Sequence, residues 1–186
     1  MMHHQGTVPM ETEHLLLRPV TVADAQAMYD HWASDSEVTK YLTWPTHTSV
    51  DMTAAYLNWT VQQYTRPDHY HWGIVEKQSG QLIGNISVVR LTEEIDAAEL
   101  GWVMGRAWWG RGFMPEAARA VLRFLFDKVG ANRIYAGHDA ENIKSGQVMQ
   151  KIGMRYEGRQ RSAGRNNRGV VDMDLYAILK SDDTGS

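Results

Sequence analysis

The sequence predicts an α/β protein of the α+β kind: a mixed, mostly antiparallel twisted sheet flanked by helices. Three observations carry this reading. Residues 70–104 read as three successive strand segments separated by polar turns, which is the pattern of an antiparallel meander. The third segment runs into a glycine-rich turn and then an apolar helical stretch, Trp108-Trp109-Gly110-Arg111-Gly112-Phe113-Met114-Pro115-Glu116. The chain has 186 residues, 43% hydrophobic and 22% charged, an ordinary globular mixture with enough chain for one real core. One domain over 1–186 is expected, with an ordered core at about 11–180 and frayed termini.

The elements follow in order. Leu15-Leu16-Leu17-Arg18 is a short apolar run stopped by Pro19, which suits a first strand. Thr21 or Asp24 can cap a helix in which Ala25, Met28, Tyr29 and Trp32 recur at helical spacing. A loop comes next, carrying Thr43-Trp44-Pro45-Thr46-His47-Thr48, and Ser49 with Asp51 opens a second helix to about Tyr64. Strands at 70–75 and 81–89 pair across the turn Lys77-Gln78-Ser79-Gly80. The polar Glu93-Glu94-Ile95-Asp96 leads into the strand Ala97–Met104. A helix from Pro115 presents Ala117, Ala118, Val121, Leu122, Leu125 and Phe126, and Gly130 marks its end. A strand at 133–137 and a helix at 142–152 precede a closing pair of strands at 156–161 and 170–178, joined by a polar loop at 163–169.

Composition narrows the function. The net charge of −3 gives no whole-chain attraction to nucleic acid, and no stretch approaches the roughly 20 apolar residues that span a bilayer. Cysteine is absent, which removes disulfides, thiolate metal sites and cysteine nucleophiles. A cytoplasmic protein is the expectation, with neither membrane nor nucleic acid as partner. A homodimer through edge strands stays open.

The glycine turn is where chemistry is expected. Gly110 and Gly112 allow a tight turn whose N–H groups approach an anion, and the following helix aims its positive end at the same place. The Gly-Lys-Ser/Thr ending of a nucleotide triphosphatase is missing. A diphosphate suits such a cradle.

Element order and motifs together resemble the GNAT acyltransferase superfamily. Trp109-Gly110-Arg111-Gly112-Phe113-Met114 stands in the place of that family's Gln/Arg-x-x-Gly-x-Gly/Ala loop, and Asn142-Ile143-Lys144-Ser145 through Lys151-Ile152-Gly153-Met154 resembles its second motif. With Leu16, Arg18 and Pro19, Glu99-Leu100-Gly101-Trp102, and Glu116-Ala117, the chain is similar to the branch of ribosomal-protein N-terminal acetyltransferases. The resemblance implies acetyl-CoA as co-substrate, no metal, and transfer to a primary amine. The acceptor is then the N-terminus of a protein, a ribosomal protein among the candidates, or a small molecule. A non-catalytic CoA-binding sensor or scaffold is the alternative, because Met114 replaces the small last residue of the cradle and Met149 stands where many members carry an acidic tyrosine.

By the same resemblance, the pyrophosphate falls to Trp109, Gly110, Arg111, Gly112, Phe113 and Met114. The strand is expected to splay near Trp102, Val103 and Met104, freeing an amide to polarise the acetyl carbonyl. Glu99 is the candidate base, or else a carboxylate paired to an arginine. Ser145 can hydrogen-bond the departing sulfur, and Asn142 can orient the pantetheine arm, cap its helix, or do both. Trp44 and His47 are expected to wall the acceptor site, with core packing for Trp44 and polar surface for His47 as the competing readings. His69 and His71 share a strand face without an evident third metal ligand. Arg155, Arg159, Arg161, Arg165 and Arg168 form either a solvated surface or a patch for an acidic partner.

Overall fold

The computed structural model describes residues 1–182. Eight strands form one sheet: β1 (Met10–Glu11), β2 (Leu15–Arg18), β3 (His71–Glu76), β4 (Leu82–Thr92), β5 (Ala97–Met104), β6 (Arg133–Asp139), β7 (Arg155–Asn166) and β8 (Gly169–Leu179). Their spatial order is β1-β2-β3-β4-β5-β6-β8-β7, and every neighbouring pair is antiparallel except β5 with β6. The expected mixed, mostly antiparallel sheet is therefore present.

The helices are α1 (Ala25–Met28), α2 (Ser36–Thr39), α3 (Val50–Gln63), α4 (Phe113–Phe124) and α5 (Ile143–Lys151). They divide between the two faces, and side-chain alternation decides which strand residues each covers. Ala98, Leu100, Met104, Ile86 and Trp72 point into the cluster capped by α4 and α5. Val103, Val75 and Leu82 join Met28, Trp32 and Leu57 in the cluster beneath α1–α3.

Several details differ from the sequence reading. α4 begins at Phe113, two residues before Pro115, because Gly112 in the left-handed region (φ 82°) already turns the chain into the helix. Pro115 is tolerated in that first turn, where its missing N–H has no intrahelical acceptor to lose. α1 runs on as a π-helical turn over Tyr29–Ala33, and the short α2, capped by the Asp35 carboxylate on Glu37 N–H, occupies part of the expected loop. The polar loop at 163–169 contracts to Asn167 and Arg168, because β7 and β8 keep pairing out to Asn166 opposite Gly169. An irregular register between Gln160 and Gly164 absorbs the mismatch.

The N-terminal residues are packed, not frayed. Met2 is buried, His3 N–H donates to the Val129 carbonyl at 2.7 Å, and the Trp72 indole donates to the Val8 carbonyl at 2.8 Å. Glu116 holds α4 to the start of β2 by accepting from the Thr12 hydroxyl at 2.5 Å and from His14 N–H at 2.9 Å. Burial pushes its carboxyl up, but these hydrogen bonds outweigh it and leave the group below its ordinary range.

β3 carries a titrating group into the interior. His71 is buried under α3, its ring 6.4 Å from Tyr56 and stacked 6.4 Å from His69. Burial, with His69 alongside, pushes its imidazole down to about 3, so the folded chain holds it neutral while the unfolded chain protonates below its ordinary 6.5. The stability this neutral group contributes is complete above pH 6.5 and is lost as pH falls from there towards 3. We expect urea midpoints at pH 7, 6 and 5 to show a loss of up to about 1.4 kcal/mol per pH unit from this residue. A folded His71→Gln variant is expected to lose stability less steeply, and an identical slope would contradict the assignment.

Candidate active site

The sheet opens between its two parallel strands. β5 and β6 stay in register only for Ala97 with Arg133, Ala98 with Ile134, and Glu99 with Tyr135. Beyond Glu99, β5 follows β4 to Met104 while β6 follows β8 to Asp139, leaving a V between them. A bulge lies in β4 at the root of the V, where the register shifts between Val88 and Arg90 opposite Leu100 and Glu99. Bulges increase local twist, which swings β5 away from β6.

A cleft of about 610 Å³ fills this opening. Trp102, Val103 and Met104 line it from β5, and Trp109, Gly110, Gly112, Phe113 and Met114 from the turn and first residues of α4. Asn142, Lys144 and Ser145 face it from the start of α5, and Lys40 and Tyr41 from the segment after α2. Two helix N-termini thus converge on one cavity, each presenting first-turn N–H groups without intrahelical acceptors. Each contributes roughly 0.3–1 kcal/mol to holding a nearby negative charge.

The turn is shaped to let an anion approach. Gly110 (φ 76°) and Gly112 (φ 82°) both occupy the left-handed region, and a Cβ added to either would meet no protein atom within 4 Å. That space is open, so Met114 does not crowd it. The Met114 side chain packs in the core, as does that of Met149. The Trp109 indole donates to the Met104 carbonyl at 2.7 Å, and Lys144 Nζ lies 3.9 Å from the Trp109 ring centre, joining α5 to the turn across the cleft. Trp108 is buried, with its indole donating to Glu76 at 3.2 Å.

The other anticipated residues divide between cleft and surroundings. Asn142 caps α5, its side-chain oxygen accepting from Ser145 N–H at 3.4 Å, and both residues border the cleft. Arg111 turns away, its guanidinium 2.7 Å from Glu76 and over the Phe113 ring, so at this turn the cleft meets backbone more than side-chain charge. Glu99 does not line the cleft. It sits at the root of the V on the face shared with Gly101 and Val103, 3.6 Å from Arg90 and beside its register partner Tyr135.

Trp44 and His47 also lie outside the cleft wall. The His47 ring is buried, pairs through Nδ1 with the Thr53 hydroxyl at 2.8 Å, and packs 5.0 Å from Trp44, which in turn faces Tyr56 at 6.2 Å. Burial pushes the His47 imidazole below its ordinary value. The two anchor the 40–48 segment on α3. Of the hairpin arginines, Arg155 pairs with Asp182, Arg159 with Asp174, and Arg168 with Asp139 and Glu141, so much of that charge is already matched.

Among the cleft residues that escape the sequence reading are Lys40, Tyr41 and Lys144. Lys40 and Tyr41 follow the unforeseen α2, and nothing in their spacing marks them. Lys144 was within reach: a basic residue in the first turn of a helix opposes the dipole and calls for another reason to be there.

Comparison with known proteins agrees with this geometry. A family model described as Acetyltransferase (GNAT) domain matches residues 14–155. An uncharacterised N-acetyltransferase of Bacillus subtilis, YnaD, is 32% identical over 171 residues, covering 92% of this chain and 96% of its own. The ribosomal protein uS5-alanine N-acetyltransferase of Escherichia coli is 26% identical over 168 residues, 85% of each chain. Among solved structures, a GNAT-family acetyltransferase from Bacillus anthracis superposes with a TM-score of 0.82 at 28% identity, covering 94% of this chain and 99% of that one. No described helix is long and apolar enough to cross a membrane. On sequence, fold and the open V alike, the chain belongs to the GNAT acetyltransferase family.

Proposed function

We propose that this N-acetyltransferase moves the acetyl group of acetyl-CoA to the α-amine at the end of an extended chain, a protein N-terminus being the acceptor. The observation that carries this reading is the V itself: a strand with unpaired backbone borders a cleft into which two helix N-termini point. Bound there, acetyl-CoA supplies an activated acyl group and a thiolate that leaves readily. The backbone N–H groups of the 110–114 turn would hold its pyrophosphate, and Lys144 and Lys151 add positive charge along the same side of α5. An amide of Trp102 or Val103, freed from sheet pairing, would donate to the acetyl carbonyl oxygen as charge develops there. Asn142 and Ser145 sit where they can orient the arm that carries the sulfur, and the Ser145 hydroxyl can donate to it as the bond breaks.

Glu99 is assigned the proton. The amine nitrogen forms the new bond to the acyl carbon, the carbon–sulfur bond breaks, and the proton shed by nitrogen passes to the Glu99 carboxylate directly or through water. The pairing with Arg90 and Tyr135 keeps that carboxylate on the face opposite α4, where the acceptor would approach.

Chemistry favours an α-amine. With ordinary pKa values near 8 for an α-amine and about 10.4 for lysine, roughly a quarter of the former is neutral at pH 7.5 and only about a thousandth of the latter. Likeness to the uS5-alanine N-acetyltransferase makes an alanine-starting peptide the first acceptor to try. A small free amine is the second reading. The two methionines that suggested a non-catalytic sensor, Met114 and Met149, are core residues and supply no reason for one.

Two variants test these assignments. Gly112→Val places a branched side chain at φ 82° in the open space of the turn and is expected to weaken CoA binding at least about tenfold in calorimetry. Normal affinity in a folded variant would remove the pyrophosphate from this turn. Glu99→Gln is expected to lower kcat/KM on an alanine-starting peptide about a hundredfold and to alter its pH profile. An unchanged rate and profile would take the proton away from Glu99.

A further inference from the structure

α5 meets β6 where a histidine ring fills the place of an absent side chain. His138 and Gly146 are both buried, and His138 alternates with Ile134 and Ala136 on the face of β6 that α5 helps to cover. A Cβ at residue 146 would lie 2.7 Å from His138 Nε2 and 3.1 Å from its Cε1, closer than side chains pack. Glycine inside a helix costs stability relative to alanine, and this close approach explains its place in α5.

The ring is pinned from two sides. Its Nδ1 donates to the Asp139 carbonyl at 2.7 Å, and its face stacks on Tyr176 with 5.7 Å between ring centres. Nε2 has no hydrogen-bond partner among the described residues, so what the ring brings to α5 is its bulk. The helix side is tied to the cleft. Gly146 N–H donates to the Asn142 carbonyl at 3.4 Å and Ser145 N–H to the same carbonyl at 3.1 Å, so Gly146 shares one turn with two residues that border the cleft. Whatever lifts residue 146 lifts Asn142 and Ser145 with it.

We propose that His138 is a positioning residue for the donor. By filling the space that a side chain at 146 would need, its ring sets the height of the first turn of α5, and with it the reach of Asn142 and Ser145 towards the thioester arm of acetyl-CoA. This role rests on the donor placement above, and belongs to a residue that does not itself line the cleft. Gly146→Ala drives α5 off the sheet, because the new methyl meets a pinned ring and not the free end of a flexible side chain. His138→Val removes the ring and lets the turn settle towards β6. Combined, the two changes offset, since the methyl then occupies part of the volume that the ring has left.

The test measures calorimetric affinities of the full chain for CoA and for 3′-phospho-ADP, which keeps the nucleotide and pyrophosphate and lacks the arm. Gly146→Ala is expected to weaken CoA about tenfold and His138→Val severalfold, with 3′-phospho-ADP changed less than about twofold in each. The double variant is expected to bind CoA more tightly than either single one. A role confined to stability would lower thermal midpoints and leave these affinities alone. Unchanged CoA affinity in both folded single variants, equal losses for the two ligands, or losses that simply multiply in the double variant overturn the proposal. Should Gly146→Ala not fold, His138→Val decides alone, and normal CoA affinity there overturns it. Failure of the wild type to bind CoA overturns the donor placement first and this role with it, a result distinct from intact binding without coupling.

Discussion

The site depends on where one pair of strands stops pairing. Among the described residues β5 and β6 are the only parallel neighbours in the sheet, and they share three register positions before parting after Glu99 and Tyr135. Parallel strands that continued in register would close the cleft and spend the backbone groups of β5 on β6. The bulge between Val88 and Arg90 sits beside that parting point, so the irregularity of one strand shapes the opening at its neighbour. Most of what lines the cleft is held by β5, β6 and the helices that follow them, and the rest by the segment in and after α2.

Two consequences follow for electrostatics and for access. Because α4 begins just after β5 and α5 just after β6, opening the strands brings two helix N-termini towards one volume. At the 110–114 turn the donors are backbone N–H groups, with Lys40, Lys144 and Lys151 adding side-chain charge elsewhere along the cleft, which explains how Arg111 can be committed to Glu76 without stripping the turn of donors. At the far end, the tip of the β7–β8 hairpin bonds the 39–44 segment through Asn167 and Asp139 with Glu141 through Arg168.

Much of this fold was legible because its signals are local. The meander over 70–104, the left-handed glycines at 110 and 112, and Gly130 at a helix end each act through neighbouring residues. The cleft positions of Trp102, Asn142 and Ser145 were implied by the family resemblance, with Asn142 legible besides as a helix cap. What escaped is non-local. Tyr41 acquires its place only when the hairpin tip folds back across more than a hundred residues, and the reach of β7 to Asn166 depends on pairing that the polar segment 163–169 conceals. Trp44 and His47, expected at the acceptor site with core packing and polar surface as the competing readings, pack against Tyr56 and Thr53, an arrangement set by the position of α3.

The backbone of β5 beyond Glu99 is unpaired on the β6 side, where acetyl-CoA would lie in the proposed reaction. Amide hydrogen exchange over residues 100–104, compared with and without saturating acetyl-CoA, addresses this directly. Slower exchange is expected in that segment and in 110–114, with 84–88 on the paired side of β5 unchanged. Protection confined to other parts of the chain while acetyl-CoA binds would contradict it.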